Sequence, residues 1–187
     1  MKKIILFFTI LLLSYSISHA KDARDIIEAA IAEFKVSKES DASSLGNHFT
    51  EKYIDIDALS KRVITRKIRA ALGDKMGLVI SDIQKRVAHT LGQKLKAGKD
   101  ATITVKPEVR SINEDPILGE PLTVVSIIID STEYGKINVD LHMNDNGRIV
   151  AATIDGTFDM TTTFKKQYED VWKKSDNNPD TFIKNLR

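Results

Sequence analysis

Lys136-Ile137-Asn138-Val139-Asp140-Leu141-His142-Met143-Asn144-Asp145-Asn146-Gly147-Arg148-Ile149-Val150-Ala151-Ala152-Thr153-Ile154-Asp155-Gly156-Thr157-Phe158-Asp159-Met160 settles the architecture. Ile137, Val139, Leu141 and Met143 alternate with Lys136, Asn138, Asp140, His142 and Asn144, the period of a strand with one wet face. Asp145-Asn146-Gly147 then signals a hairpin, because Asn-Gly supplies the positive φ angles of a two-residue turn. Ile149 to Ile154 reads as the returning strand. Asp155-Gly156 is a second turn, and Thr161-Thr162-Thr163 leads into a helix carrying Phe164, Tyr168, Val171 and Trp172. A short helix from Pro179 to Leu186 closes the chain.

Upstream of this stretch lie two more strands. Ile103, Val105, Pro107 and Val109 alternate with polar residues, whereas Leu122 to Ile129 is almost continuously apolar, as in a strand buried on both faces. Before Gly98 the period is that of helices. Ile26, Ile27, Ala30, Ile31 and Phe34 share one face, and Leu45, Phe49 and Tyr53 recur every four residues. Asp55 or Asp57 stands at an N-cap position ahead of Leu59, Val63 and Ile64. Gly73 interrupts the pattern. The longest helix is expected from about Lys75 to Lys96, with a stripe through Val79, Ile80, Ile83, Val87, Leu91 and Leu95 and Gly98 as its terminating C′ residue. Helices followed by four consecutive antiparallel strands, then helices, predict an α+β domain with helices on one face of the sheet.

The N-terminus reads as a Sec-type export signal over residues 1–20. Lys2 and Lys3 precede an apolar run from Ile4 to Leu13, and Ser18-His19-Ala20 has the small-x-small pattern of a cleavage site. The run is too short to span a bilayer. Cleavage near Ala20 would leave residues 21–187 as one domain in the periplasm. Removing Lys2 and Lys3 takes the 28 basic residues to 26, level with the 26 acidic ones, so the +2 of the whole chain becomes zero. Such a balance argues against nucleic acid as a partner, since phosphate tracking needs clustered surplus Lys and Arg. With no cysteine, disulfides, thiolate metal sites and thiol catalysis are all excluded.

Reaction chemistry is not announced. G-x-S-x-G, Gly-rich phosphate loops and H-E-x-x-H are missing, and His48, His89 and His142 have no metal-ligand spacing. The pairs Asp55/Asp57 and Asp155/Asp159 read more simply as cap and turn residues, their carboxylates accepting local backbone amides. Lys61, Arg62, Arg66, Lys67 and Arg69 form either a basic docking patch or a solvated helix face. For the apolar residues, periodicity cannot separate a lined cavity from a filled core.

Taken in order, several segments resemble the MlaC-like family of periplasmic phospholipid-binding proteins, also called toluene-tolerance or ABC-transporter auxiliary proteins. Tyr53-Ile54-Asp55-Ile56-Asp57 with Leu59, Arg62 and Val63 looks like the family's opening aromatic-x-D-hydrophobic segment. Arg66-Lys67-Ile68-Arg69 sits where many members carry an aromatic-rich stretch; Ile68 is aliphatic here. Gly156 with Met160, the Trp172 helix and Thr181-Phe182-Ile183-Lys184-Asn185-Leu186 complete the likeness, which runs from Tyr53 to Leu186. The resemblance implies an NTF2-like cone, a curved four-stranded sheet and helices around an apolar cavity, binding phospholipid without cofactor, metal or catalysis. It implies lipid-binding roles for Leu59, Val63, Ile68, Ile83, Val87, Leu91, Ile127, Val139, Leu141, Ile154, Phe158, Met160 and Phe164. The partners it implies are an inner-membrane ABC transporter complex with an MCE-type subunit and an outer-membrane lipoprotein complex. Two other readings are a small cone-shaped isomerase or hydratase with Asp140 or Asp155 inside, and an adaptor domain with a filled core.

Overall fold

The change of hydrophobic period after Gly98 divides a helical half from a sheet. The computed structural model describes residues 22–39, 41–132 and 135–186. The expected leader, its cleavage site and Lys21 lie outside these residues, as does the side chain of Phe158. A first helix, α1, covers residues 22–36. Helices α2 (Ala42–Tyr53), α3 (Ile56–Val63) and α4 (Arg66–Leu72) follow, then a 3-10 turn at Gly73–Lys75 and the long α5 (Met76–Ala97). Strands β1 (Thr102–Ile112), β2 (Leu122–Ser131), β3 (Gly135–Met143) and β4 (Ile149–Ile154) come next, with a two-residue β5 (Phe158–Asp159). Helices α6 (Met160–Lys174) and α7 (Pro179–Leu186) end the chain. No helix among the described residues is long and apolar enough to cross a membrane.

Helix boundaries follow side-chain caps. Asp41, Asp55 and Asp159 accept hydrogen bonds from the amides of Ser44, Ala58 and Thr161 at 2.8–2.9 Å. Each such cap contributes about 1 kcal/mol. Of the two candidate caps near α3, Asp55 is therefore the one used. Gly98 does end α5, but at φ −89° rather than in the left-handed conformation expected of it. The α2–α5 crossing depends on missing side chains. A Cβ on Gly46 would lie 1.9 Å from the Ala88 carbonyl oxygen, and one on Gly92 would lie 1.8 Å from that of Ala42.

The sheet is open, curved and antiparallel, in the order β1-β2-β3-β4-β5, with helices packed against it. Central β2 is buried almost throughout from Leu122 to Ile127, as its apolar run predicts. The turns exchange roles. Met143 and Ile149 are joined by a five-residue loop in which the Asn144 amide donates to the Arg148 carbonyl at 2.9 Å, and positive φ is confined to Gly147. The side chain of Asn144 pins this loop to Asp55 at 2.9 Å. The two-residue turn lies at Asp155-Gly156 instead, with φ of +49° and +69° and the Thr157 amide donating to the Ile154 carbonyl.

Candidate functional site

Cross-strand partners project to the same face of a sheet, so the register assigns each side chain. Ile103 pairs with Ile129, Val105 with Ile127 and Val109 with Val125. Across the next ladder Val125 faces Leu141, Ile127 faces Val139 and Ile129 faces Ile137; beyond it Val139 meets Ile154 and Leu141 meets Ala152. One face of all four long strands is consequently aliphatic. Ala23 and Ile27 of α1 pack on its centre, where Val125 and Met143 are 0% exposed. Around that centre Ile103, Val105, Val109, Ile129, Ile137, Leu141, Ala152 and Ile154 are only partly buried.

The residues implied as lipid-binding divide between separate clusters. Leu59, Val63, Ile68, Ile83 and Val87 are buried with Tyr168, Trp172 and Phe182 in a helical core, with Phe164 packed partly against it. Ile127, Val139, Leu141 and Ile154 belong to the sheet face. Leu91 joins a third group around Phe34, Leu45, Phe49 and Tyr53. Met160 is half-buried at the start of α6. Leu59, Val63, Ile68, Ile83 and Val87 thus pack with one another and the strand members pack with α1, while Ile103 and Ile149 of the sheet also border the group that holds Leu91. Ile103, Val105, Val109, Ile129 and Ile137 complete the strand group. Their alternation identifies them as strand residues, but only the pairing shows that they share a surface with Leu141.

The opposite face is divided: at one end Leu122 packs with Ile112, Val150 and Ala58 of α3, and the rest is polar. An open cleft of about 450 Å³ is lined by Lys106, Glu108, Arg110, Ser126, Asn138, Asp140 and Asp155. Asp140 accepts from the Ser126 hydroxyl at 2.5 Å and from Arg110 Nη2 at 2.6 Å. Burial pushes its carboxyl upward, yet Ser126 and Arg110 outweigh that and hold it below the usual carboxylate range. Asp155 accepts from the backbone amide of Asn138 at 3.0 Å, a cross-strand bond where a local one was expected. Both acids weighed as catalytic thus lie in one cleft, but Asp140 is a stabilised carboxylate, not a raised-pKa acid ready to donate a proton.

His142 lies half-buried on the same polar face, 3.2 Å from Thr153 Oγ1. Burial, with Arg62 adding, pushes its imidazole below the ordinary value. No group of three or more metal-ligating side chains occurs among the described residues. The basic patch also shrinks. Arg62 is not exposed but forms a buried ion pair with Asp115, their side chains 8% and 7% exposed. Arg69 donates to the Lys61 and Ile64 carbonyls, both at 2.6 Å.

No curated protein matches this chain. Residues 22–187 do match a protein-family model, described as MlaC protein. With every described residue inside that match, the protein belongs to the MlaC family, the phospholipid-binding components of periplasmic lipid transport.

Proposed function

We propose that this protein carries phospholipid through the periplasm with its acyl chains against the aliphatic face of the sheet. One observation carries the reading. Among the described residues the sheet cluster has six buried members and eleven partly buried ones, whereas the helical core has twelve buried and six partly buried. The helical half is a finished core; the sheet face retains aliphatic surface for a ligand to cover. Ile127, Val139, Leu141 and Ile154 line the seat, joined by Ile103, Val105, Val109, Ile129 and Ile137. Leu59, Val63, Ile68, Ile83 and Val87 hold the scaffold behind it.

The physical need for such a carrier is large. Each methylene moved into water costs about 0.8 kcal/mol, so two acyl chains cost on the order of 20 kcal/mol. Aliphatic side chains shield them without requiring a particular headgroup. After export and cleavage near Ala20, residues 21–187 act as one lipid-binding unit. It receives and delivers lipid between an outer-membrane lipoprotein complex and the MCE-type subunit of an inner-membrane ABC transporter. No cofactor and no catalytic step are invoked.

Native mass spectrometry of protein purified from a periplasm, with lipid extraction of the same sample, tests this. A stoichiometric phospholipid adduct is expected. A ligand-free mass that persists after incubation with phospholipid vesicles would overturn the carrier reading and favour an adaptor.

A further inference from the structure

β1 is an edge strand, and its ladder is irregular. Between Val105 and Val109 it advances four residues while β2 advances two, from Ile127 to Val125. Lys106, Pro107 and Glu108 therefore bulge from the pairing, and Pro107 has no amide hydrogen to offer. On one side of this bulge Val105 and Val109 belong to the aliphatic face. On the other, Lys106, Glu108 and Arg110 form one wall of the polar cleft. The two surfaces meet at a single strand.

Most charges of the cleft are already engaged. Asp140 holds Ser126 and Arg110, and Asp155 holds the backbone and side-chain amides of Asn138. Lys106 and Glu108 are different, for neither has a polar partner among the described residues. They are two residues apart on one face, about 6–7 Å by the rise of a strand. A cation and an anion thus stand unpaired beside the aliphatic seat. Across the whole cleft, Glu108, Asp140 and Asp155 outnumber Lys106 and Arg110. A headgroup of net negative charge meets surplus carboxylate there, whereas a zwitterion brings its own cation to it.

We infer that the Pro107 bulge seats the headgroup of a zwitterionic, phosphoethanolamine-type phospholipid. Its phosphate lies at Lys106, its ammonium at Glu108, and its acyl chains pass round the β1 edge to Val105 and Val109. This inference rests on the reading that the aliphatic face holds acyl chains.

The test uses delipidated mature protein incubated with vesicles of equal phosphatidylethanolamine and phosphatidylglycerol, followed by native mass spectrometry. The wild type is expected to favour phosphatidylethanolamine by about threefold or more, the scale of one exposed ion pair. Glu108→Gln should bring the ratio near one, and Glu108→Lys should reverse it. Stoichiometric loading in the vesicle ratio, or a ratio unmoved by Glu108→Lys, overturns the headgroup seat while leaving the carrier intact. Failure of the wild type to take up either lipid overturns the carrier reading, and this inference with it.

Discussion

The helical core and the aliphatic sheet face are built from similar residues but closed to different degrees. In the core, Tyr168, Trp172 and Phe182 fill the space between α3, α5, α6 and α7, with Trp172 and Phe182 edge-to-face at 5.2 Å. Among the described side chains the sheet cluster contains no aromatic residue of its own; α1 covers its centre with an alanine and isoleucines, and Phe34, Phe49 and Tyr53 border it only at Ile26, Ile103 and Ile149. Large rigid side chains complete a core; small and aliphatic ones leave a surface that a flexible chain can occupy. The lesson is that apolar content alone does not identify a ligand seat. The distribution of closure within it does.

Substitutions in the two regions should therefore separate stability from lipid retention. The largest loss of stability is expected for Phe182→Ala, which empties a fully buried site in the helical core. Urea unfolding should show a cost of about 3–5 kcal/mol. Gly92→Ala comes next, since its Cβ would collide with the Ala42 backbone and force α2 away from α5. A cost of about 3 kcal/mol is expected by the same measurement.

Leu141→Trp should reverse the balance. Leu141 is half-buried on the sheet face, so the larger ring projects into the seat. Lipid adducts should disappear while the unfolding free energy changes by less than about 1.5 kcal/mol. An unchanged lipid load would remove Leu141 from the seat.

The smallest effect concerns the latch that holds α1. Glu33 accepts from Lys52 Nζ at 2.7 Å and from the Tyr53 hydroxyl at 2.5 Å, and lies 2.5 Å from His48 Nε2. Hydrogen bonds from Lys52, Tyr53 and His48 lower its pKa from 4.5 to about 2. A depressed carboxylate stabilises the fold above its unfolded pKa, and that contribution is lost as pH falls through the folded value. Stability should thus decline between about pH 4.5 and 2 through this group, a slope that Glu33→Gln removes. Hydrogen exchange should report the loss first in α1.

Much of this organisation is legible in the sequence. The period change after Gly98, the nearly continuous apolar run of β2 and a cap at Asp55 or Asp57 each have a local cause, and local causes leave local patterns. The division of the lipid-site residues does not. Val87 and Leu141 are equally apolar and equally periodic, yet Val87 is buried in the cluster of Tyr168 and Trp172 while Leu141 is only partly buried in the sheet cluster. The placing of the two-residue turn at Asn146-Gly147 fails for a related reason. Asn146-Gly147 and Asp155-Gly156 carry similar signals, and the bond from Asn144 to Asp55 fixes the first as a longer loop. The bulge at Pro107 depends on register, and register belongs to the pair of strands rather than to either one.

The central claim is that acyl chains lie on the sheet face rather than in the helical core. A phospholipid with a nitroxide near the end of one chain, bound to methyl-labelled protein, tests this by NMR relaxation. Methyl signals of Ile129, Ile137, Leu141 and Ile154 should broaden strongly, while those of Val63 and Ile83 keep their intensity. Broadening of Val63 and Ile83 with the strand methyls unaffected would contradict the account and put the chains inside the helical half.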